Sequence, residues 1–261
     1  MSRRGFALLA VLWVLTAVTA LVGTGMVVAR LGAETTRNRV FLVRAEWARE
    51  ACGEILLARF AADPSTHEVP PVDLGRGTWC RASLDDPAAR LNLNTADRAA
   101  LVNLFSTLGV APALADSVIE LRRNAPIYDV RQIDGVDSVG AAYLARFVTT
   151  RGTGVINVNA APAEVLRTLP GITEEGVALL IRRRDGRRIS SADEVAGALS
   201  RSSRAMLLNN YAEFVRVAVF GTPQLIATLE GGVRGTPIVA RATLTVVPVP
   251  GRLAVVRRES E

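Results

Sequence analysis

Two cysteines, Cys52 and Cys80, and one histidine, His67, are the residues of this 261-residue chain best suited to metal or acid–base chemistry. So few of them argue against a Cys/His zinc site and against a mechanism run by histidine. In an exported chain two cysteines can pair. Two small buried thiols are the other reading, and spacing alone does not decide between them. There is no nucleophile elbow, P-loop or paired histidine, so the expectation is a protein that is not an enzyme and requires no cofactor. The acidic groups Asp85/Asp86, Asp129/Asp134/Asp137 and Glu174/Glu175 offer oxygen donors of the kind calcium takes. None has the spacing of a known calcium loop, and the favoured reading is caps and solvated surface, with no metal ligand assigned.

Asparagine is the other residue type with a pattern. "LNLNTADRAALVNLF" from Leu91 matches "INVNAAPAEVLRTLP" from Ile156. Further on, "SVIELRRNAPIYDVRQI" matches "ALLIRRRDGRRISSADEV". Each copy reads as Asn-x-Asn, helix, hairpin, and a helix ending in arginines. Asn92, Asn94, Asn157 and Asn159 are expected to cap the helices that follow, because an asparagine side chain satisfies orphan backbone donors. "LPGITEEGVALLIRRR" resembles a helix-hairpin-helix unit, which implies phosphate binding through backbone N–H groups. Its turn, Gly171-Ile172-Thr173, lacks the second glycine of that motif, and Glu174 and Glu175 would repel phosphate. The other turns, Leu108-Gly109-Val110-Ala111 and "IDGVDSVG", also depart from it. Nucleic acid is therefore not the expected partner.

Charge adds little to this. The formal charge is +6 and the pI near 10.5, yet every basic residue is arginine. With so much Ala, Gly and Val, that composition reads as a coding bias at least as well as an anion-binding surface.

These residues must be positioned by a long helix, a helical block and a set of strands. From Phe6 to Ala29 no residue is charged, and a helix of that length spans about 36 Å, enough for a tilted membrane crossing. It is too long for a plain signal peptide. Arg3-Arg4 favour a cytoplasmic N-terminus, whereas Arg30, Arg37 and Arg39 on the far flank argue the other way, partly offset by Glu34. Val40, Val43, Trp47, Ala51, Ile55 and Ala58 then mark an amphipathic continuation to about Phe60, ended by Asp63-Pro64. Residues 64–77 read as a loop and "TWCRASL" as a strand. Residues 88–211 read as helical, with copies at about 88–152 and 153–211. "FVRVAVFG", "QLIATLEG", "IVARATLTVVP" and "RLAVVRR" read as strands within 212–261. Trp47 and Trp79 are expected in core or helix-to-sheet packing. The fold class is α+β: a long helix on one antiparallel sheet, interrupted by a large inserted all-α domain.

A basic leader ending in Gly5, followed by Phe6 and an unbroken apolar helix, resembles the type IV pilin-like proteins. The resemblance implies cleavage between Gly5 and Phe6 by the prepilin peptidase, with methylation of the new N-terminus. Residues 1–5 would be the leader, 6–29 the transmembrane helix, and 30–87 the periplasmic continuation with the first strand. Those proteins place a glutamate where this chain has Ala10. Its absence, together with the inserted helical repeats, resembles the protein K family of type II secretion pseudopilins. That resemblance implies a non-enzymatic subunit of the Gram-negative inner membrane, single-pass, with a cytoplasmic N-terminus and a periplasmic domain. It would cap a short pseudopilus with minor pseudopilins I and J and help start its assembly. Calcium has been seen with members of that family. The alternative is a membrane-anchored DNA receptor of the competence type, which also joins one membrane helix to helix-hairpin-helix repeats.

Overall fold

A computed structural model describes residues 3–63, 66–250 and 252–260, with side chains described for those between 11 and 259. Helix α1 (Arg3–Ala62) leads into strands β1 (Glu68–Gly75) and β2 (Thr78–Asp85). The helical region follows. Its first copy contains β3 (Leu91–Asn92), α2 (Arg98–Thr107), α3 (Leu114–Asn124), α4 (Ser138–Leu144) and β4 (Val148–Thr149). Its second contains β5 (Ile156–Asn157), α5 (Ala163–Leu166), α6 (Glu174–Gly186), α7 (Ala192–Ala198), α8 (Arg201–Asn209), α9 (Tyr211–Val217) and β6 (Ala218–Val219). Strands β7 (Leu225–Val233), β8 (Val239–Val249) and β9 (Arg252–Ser260) close the chain. The main sheet has the order β1-β2-β7-β8-β9 and every pairing is antiparallel. This is an α+β, pilin-like arrangement of one long helix packed on an antiparallel sheet.

The face of α1 that meets the sheet is Ala45, Ala48, Cys52, Leu56 and Phe60, spaced by three and four residues and all buried. It lies beside the stripe expected from hydrophobicity. Val40, Val43 and Trp47 of that stripe are exposed, Trp47 by 76%. The reason is the closeness of helix and sheet. At Gly231 a side chain would overlap the Ala45 carbonyl oxygen and the Arg49 nitrogen, so the interface takes small residues there. From β2, Cys80, Ala82 and Leu84 point into the same core, while Arg81 and Ser83 face away. On the outer face Arg81, Glu230 and Arg241 sit in register across three strands, joined at 2.6 and 3.2 Å. The hydrogen bond from Arg81 holds the Glu230 carboxyl below its usual range.

Two further readings are corrected. The stretch read as a loop contains β1, an edge strand. Pro70 and Pro71 fall where its pairing with β2 skips between Val69 and Val72, the setting in which a strand tolerates proline. The stretch "FVRV", read as strand, is the end of α9. Phe214 is buried, and the alternation of valines was equally compatible with one helical turn. The inserted region therefore runs beyond Tyr211, and its second copy closes at Val219 rather than at residue 211.

Strand β2 ends where β7 begins. Asp85 pairs with Ile226, so the insert leaves and re-enters the sheet at adjacent positions. It has its own core, built around Leu93, Phe105, Val165, Leu180 and Phe214, separate from the core between helix and sheet. Strand β7 runs against the direction of α1: Leu229 sits beside Gly53, and Gly231 lies beneath Ala45–Arg49. The start of β7, and with it the insert, thus lies toward the C-terminal end of α1, far from the apolar run.

Candidate functional site

The apolar end of α1 has the properties of an anchor. Residues 11–40 are exposed, and the most apolar window within Val11–Ala62 has a mean hydropathy of 2.1. Thr16 and Thr19 donate their hydroxyls to carbonyls one turn back, at 2.7–3.0 Å. Such back-bonding lets a hydroxyl sit in an apolar run without an unmet donor. Gly5 and Phe6, expected from the resemblance to be the processing site, and Ala10 lie outside the residues whose side chains are described.

Where α1 meets the sheet, Cys52 and Cys80 are joined in a disulfide with a Cα–Cα separation of 5.8 Å. Both are fully buried. The bond ties the helix to β2 in the middle of the core. Trp79 lies against Gly232, whose missing side chain makes room for the indole ring.

In the insert the asparagines do something other than the capping expected of them. Asp97 caps α2 and Asp137 caps α4, while Thr173 and Ser191 cap α6 and α7. Asn94 instead bridges two loops. Its oxygen accepts from Ile127 N at 2.8 Å, and its amide donates to Ile127 O and Thr150 O. Asn159 repeats this with Ile189 N, Ile189 O and Phe220 O at 2.8–2.9 Å. Asn92 and Asn157 each accept from the backbone two residues on, in Asx turns that shape the same loops. Each copy is closed by a parallel pair of two-residue strands, Leu91 with Val148 and Ile156 with Ala218. Asn94 and Asn159 are staples rather than caps because each lies four positions before its helix begins, and Asp97 and Pro162 occupy the N-cap positions.

Two arginines complete the staple and were missed in the sequence. Arg122 donates to Leu93 O and Ala96 O, and Arg184 to Val158 O and Ala161 O. Their equivalent places in the two copies were the available signal. A charged group spent on carbonyls inside its own fold is not free for an external anion.

Asp86 forms the joint between insert and sheet. Its carboxylate accepts from Ala88 N, Asn157 Nδ2 and Thr222 Oγ1 at 2.9–3.0 Å. It thereby holds the strand leaving the sheet to the one returning. Asp85 pairs with Arg90, which also donates to Ala145 O.

The second hairpin turn is engaged internally. Gly171 has φ +73°, and a Cβ there would stand 2.8 Å from Met206 O, so α8 covers the turn. Thr173 already accepts from Gly176 N, and Glu174 pairs with Arg167. This pairing draws the Glu174 carboxyl below its usual range. At the first hairpin Gly109 has φ +69° and open space around it, but Asp116 in the first turn of α3 pairs with Arg98. Asp129 and Glu175 are also partnered. Asp129 is held to about 2 by Arg131 and its backbone N–H, and Glu175 accepts from Ser200 and Ser203. Among the described residues no group of three or more His, Cys, Asp or Glu is placed to hold a metal ion.

No family model matches the chain, and no curated protein matches it. A solved structure does. The chain is similar to one in the crystal structure of the GspK–GspI–GspJ complex from the enterotoxigenic Escherichia coli type 2 secretion system. The TM-score is 0.55 at 16% sequence identity, over 89% of this chain and 99% of that one. The fold is a pseudopilin-like one. The insert is too large a share of the chain to fall within the uncovered 11%, so the match reaches into it.

Proposed function

We propose that this chain is a minor pseudopilin of a type II secretion system, of the protein K kind, that caps the periplasmic pseudopilus and helps initiate it. One observation supports this most. A membrane-compatible helix continues into a sheet-packed half, and the large insert projects from the end of the sheet farthest from the apolar run. A bulky module there leaves the lower helix free to pack in a fibre while blocking addition above it. The partners are minor pseudopilins I and J, met in part through the exposed Val40, Val43 and Trp47 flank of α1. The chain sits in the inner membrane with its folded domain in the periplasm, after the prepilin peptidase has cut before Phe6. It performs no catalysis and requires no cofactor.

The covered turn at Gly171, the carboxylates Asp116 and Glu174 at the two hairpins, and the internally spent Arg122 and Arg184 weigh against a DNA receptor. Mass spectrometry of the membrane-extracted protein, with and without prepilin peptidase, tests the class. A mature N-terminus anywhere but Phe6 would defeat it. Co-purification with the two partner pseudopilins tests the tip complex. Because Asp85 and Ile226 are neighbours, residues 87–223 can be replaced by a short turn without parting the sheet. Secretion by that variant at the normal rate would remove the capping role.

A further inference from the structure

Arg30, Arg37 and Arg39 follow the apolar run on its far side, where the charge rule for membrane helices disfavours them. We propose that these arginines, with the turn between β7 and β8, form a collar that binds anionic phospholipid headgroups. The collar would seat the folded domain on the bilayer. The inference rests on the reading that the apolar run spans a membrane.

The geometry puts the collar at the right height. The run of 6–29 is about 36 Å long, roughly 6 Å more than a hydrocarbon core, so Arg30 falls among headgroups. Arg37 and Arg39 stand about 10–14 Å higher along the helix. With the reach of an arginine side chain and a screening length of about 8–10 Å, both still feel a charged surface. The β7–β8 turn comes down to this level. Gly235, Thr236, Pro237 and Ile238 line an open groove with Glu34, Arg37, Asn38 and Arg39 of α1. The β1–β2 turn lies beside it, with Arg234 N donating to Gly77 O at 2.8 Å.

The charge balance favours an anion. Glu34 is bound to Arg30 and Asp73 to Arg234, each at 3.3 Å. Arg37 and Arg39 have no carboxylate partner among the described residues and are exposed. Arg37 stacks over the Phe41 ring at 5.3 Å, which holds it beside the groove. Two unpaired cations at the foot of the domain, within side-chain reach and a screening length of a layer of phosphates, have an evident counter-charge in the lipid. An arginine near such a surface is expected to strengthen its contact about fivefold.

The test uses the full chain in lipid nanodiscs, with bimane attached at Pro237→Cys. Cys52 and Cys80 are bonded and buried, so the label goes to the new site alone. Quenching by a lipid with a nitroxide headgroup is compared in phosphatidylcholine discs and in discs with one third phosphatidylglycerol. Quenching should be about threefold stronger with the anionic lipid, and high salt or Arg37→Gln/Arg39→Gln should abolish the difference. The thermal unfolding of the folded domain should be the same in that variant, which separates lipid contact from a structural role. Equal quenching in both lipids, with the helix inserted in both, overturns the collar and leaves the membrane anchor standing. A persistent lipid difference in the double variant overturns it too. Failure to insert in either disc overturns the anchor and the collar with it.

Discussion

The disulfide offers the sharpest quantitative test of whether the two cores are independent. Cys52 and Cys80 are 28 residues apart in sequence and tie α1 to β2. Closing a loop of that size in the unfolded chain lowers its entropy by about 3.5 kcal/mol at 25 °C. The bond lies in the core between helix and sheet, and the insert has a separate core. Calorimetry of residues 30–261 should therefore show two transitions, of which only one depends on the bond. For a body of roughly 95 residues, 1 kcal/mol moves the midpoint by about 4–8 °C. Cys52→Ala/Cys80→Ala should lower the sheet transition by about 14 °C or more, since two buried sulfur atoms are lost as well. The insert transition should stay where it was. A sheet transition that moves by under about 5 °C would refute the entropic argument, and equal movement of both would refute the separation of the cores.

Three further outcomes follow from the insert. Asn159→Ala leaves Ile189 N and two carbonyls without their partner and should cost about 2–3 kcal/mol in urea unfolding of the insert, while Asn159→Asp, which cannot donate, should recover little of it. Gly109→Ala, at φ +69° in open space, should cost about 1 kcal/mol, and Gly171→Ala about 1–3 kcal/mol more because α8 stands in the way. Glu194 is held down from 4.5 to about 2, chiefly by the Ser190 backbone and hydroxyl and by Arg183. A carboxyl depressed on folding stabilises above its unfolded value and ceases to as pH falls, so the insert should weaken between pH 4.5 and about 2. In Glu194→Gln that part of the pH profile should be missing from a circular-dichroism titration.

The long helix, four strands of the main sheet and the repeat were legible in the sequence because each rests on local pattern, whereas spacing left the pairing of the cysteines open. The amphipathic stripe was displaced by one position because hydrophobicity ranks Val43, Trp47 and Ile55 above Ala45 and Ala48. The sheet ranks them the other way, since Gly231 brings the two backbones too close for large side chains. Strand β1 was hidden by Pro70-Pro71, which are harmful only in a strand paired on both sides, and β1 is paired on one. The asparagines were correctly picked out and wrongly assigned. Their partners, Ile127 and Thr150 for Asn94, are more than thirty residues away, so no local rule reaches them.

The same long-range bonds explain how a rigid module can sit inside a sheet hairpin. Each copy is pinned at its start by an Asn-x-Asn loop, held by an arginine from its second hairpin helix, and closed by a parallel strand pair. The first copy closes on Thr149 and the second begins at Ile156, so the two stack with little free chain between them. Asp86 then joins the second copy, through Asn157, to the point where the chain leaves β2, and through Thr222 to the point where it returns. One carboxylate that touches both crossings thus helps to hold the insert over the sheet. On the proposed capping role, that orientation has to survive the load of a growing fibre. Asp86→Ala should then lower the secretion rate while leaving both unfolding transitions in place, and normal secretion by that variant would show that a cap of this kind works by bulk rather than by placement.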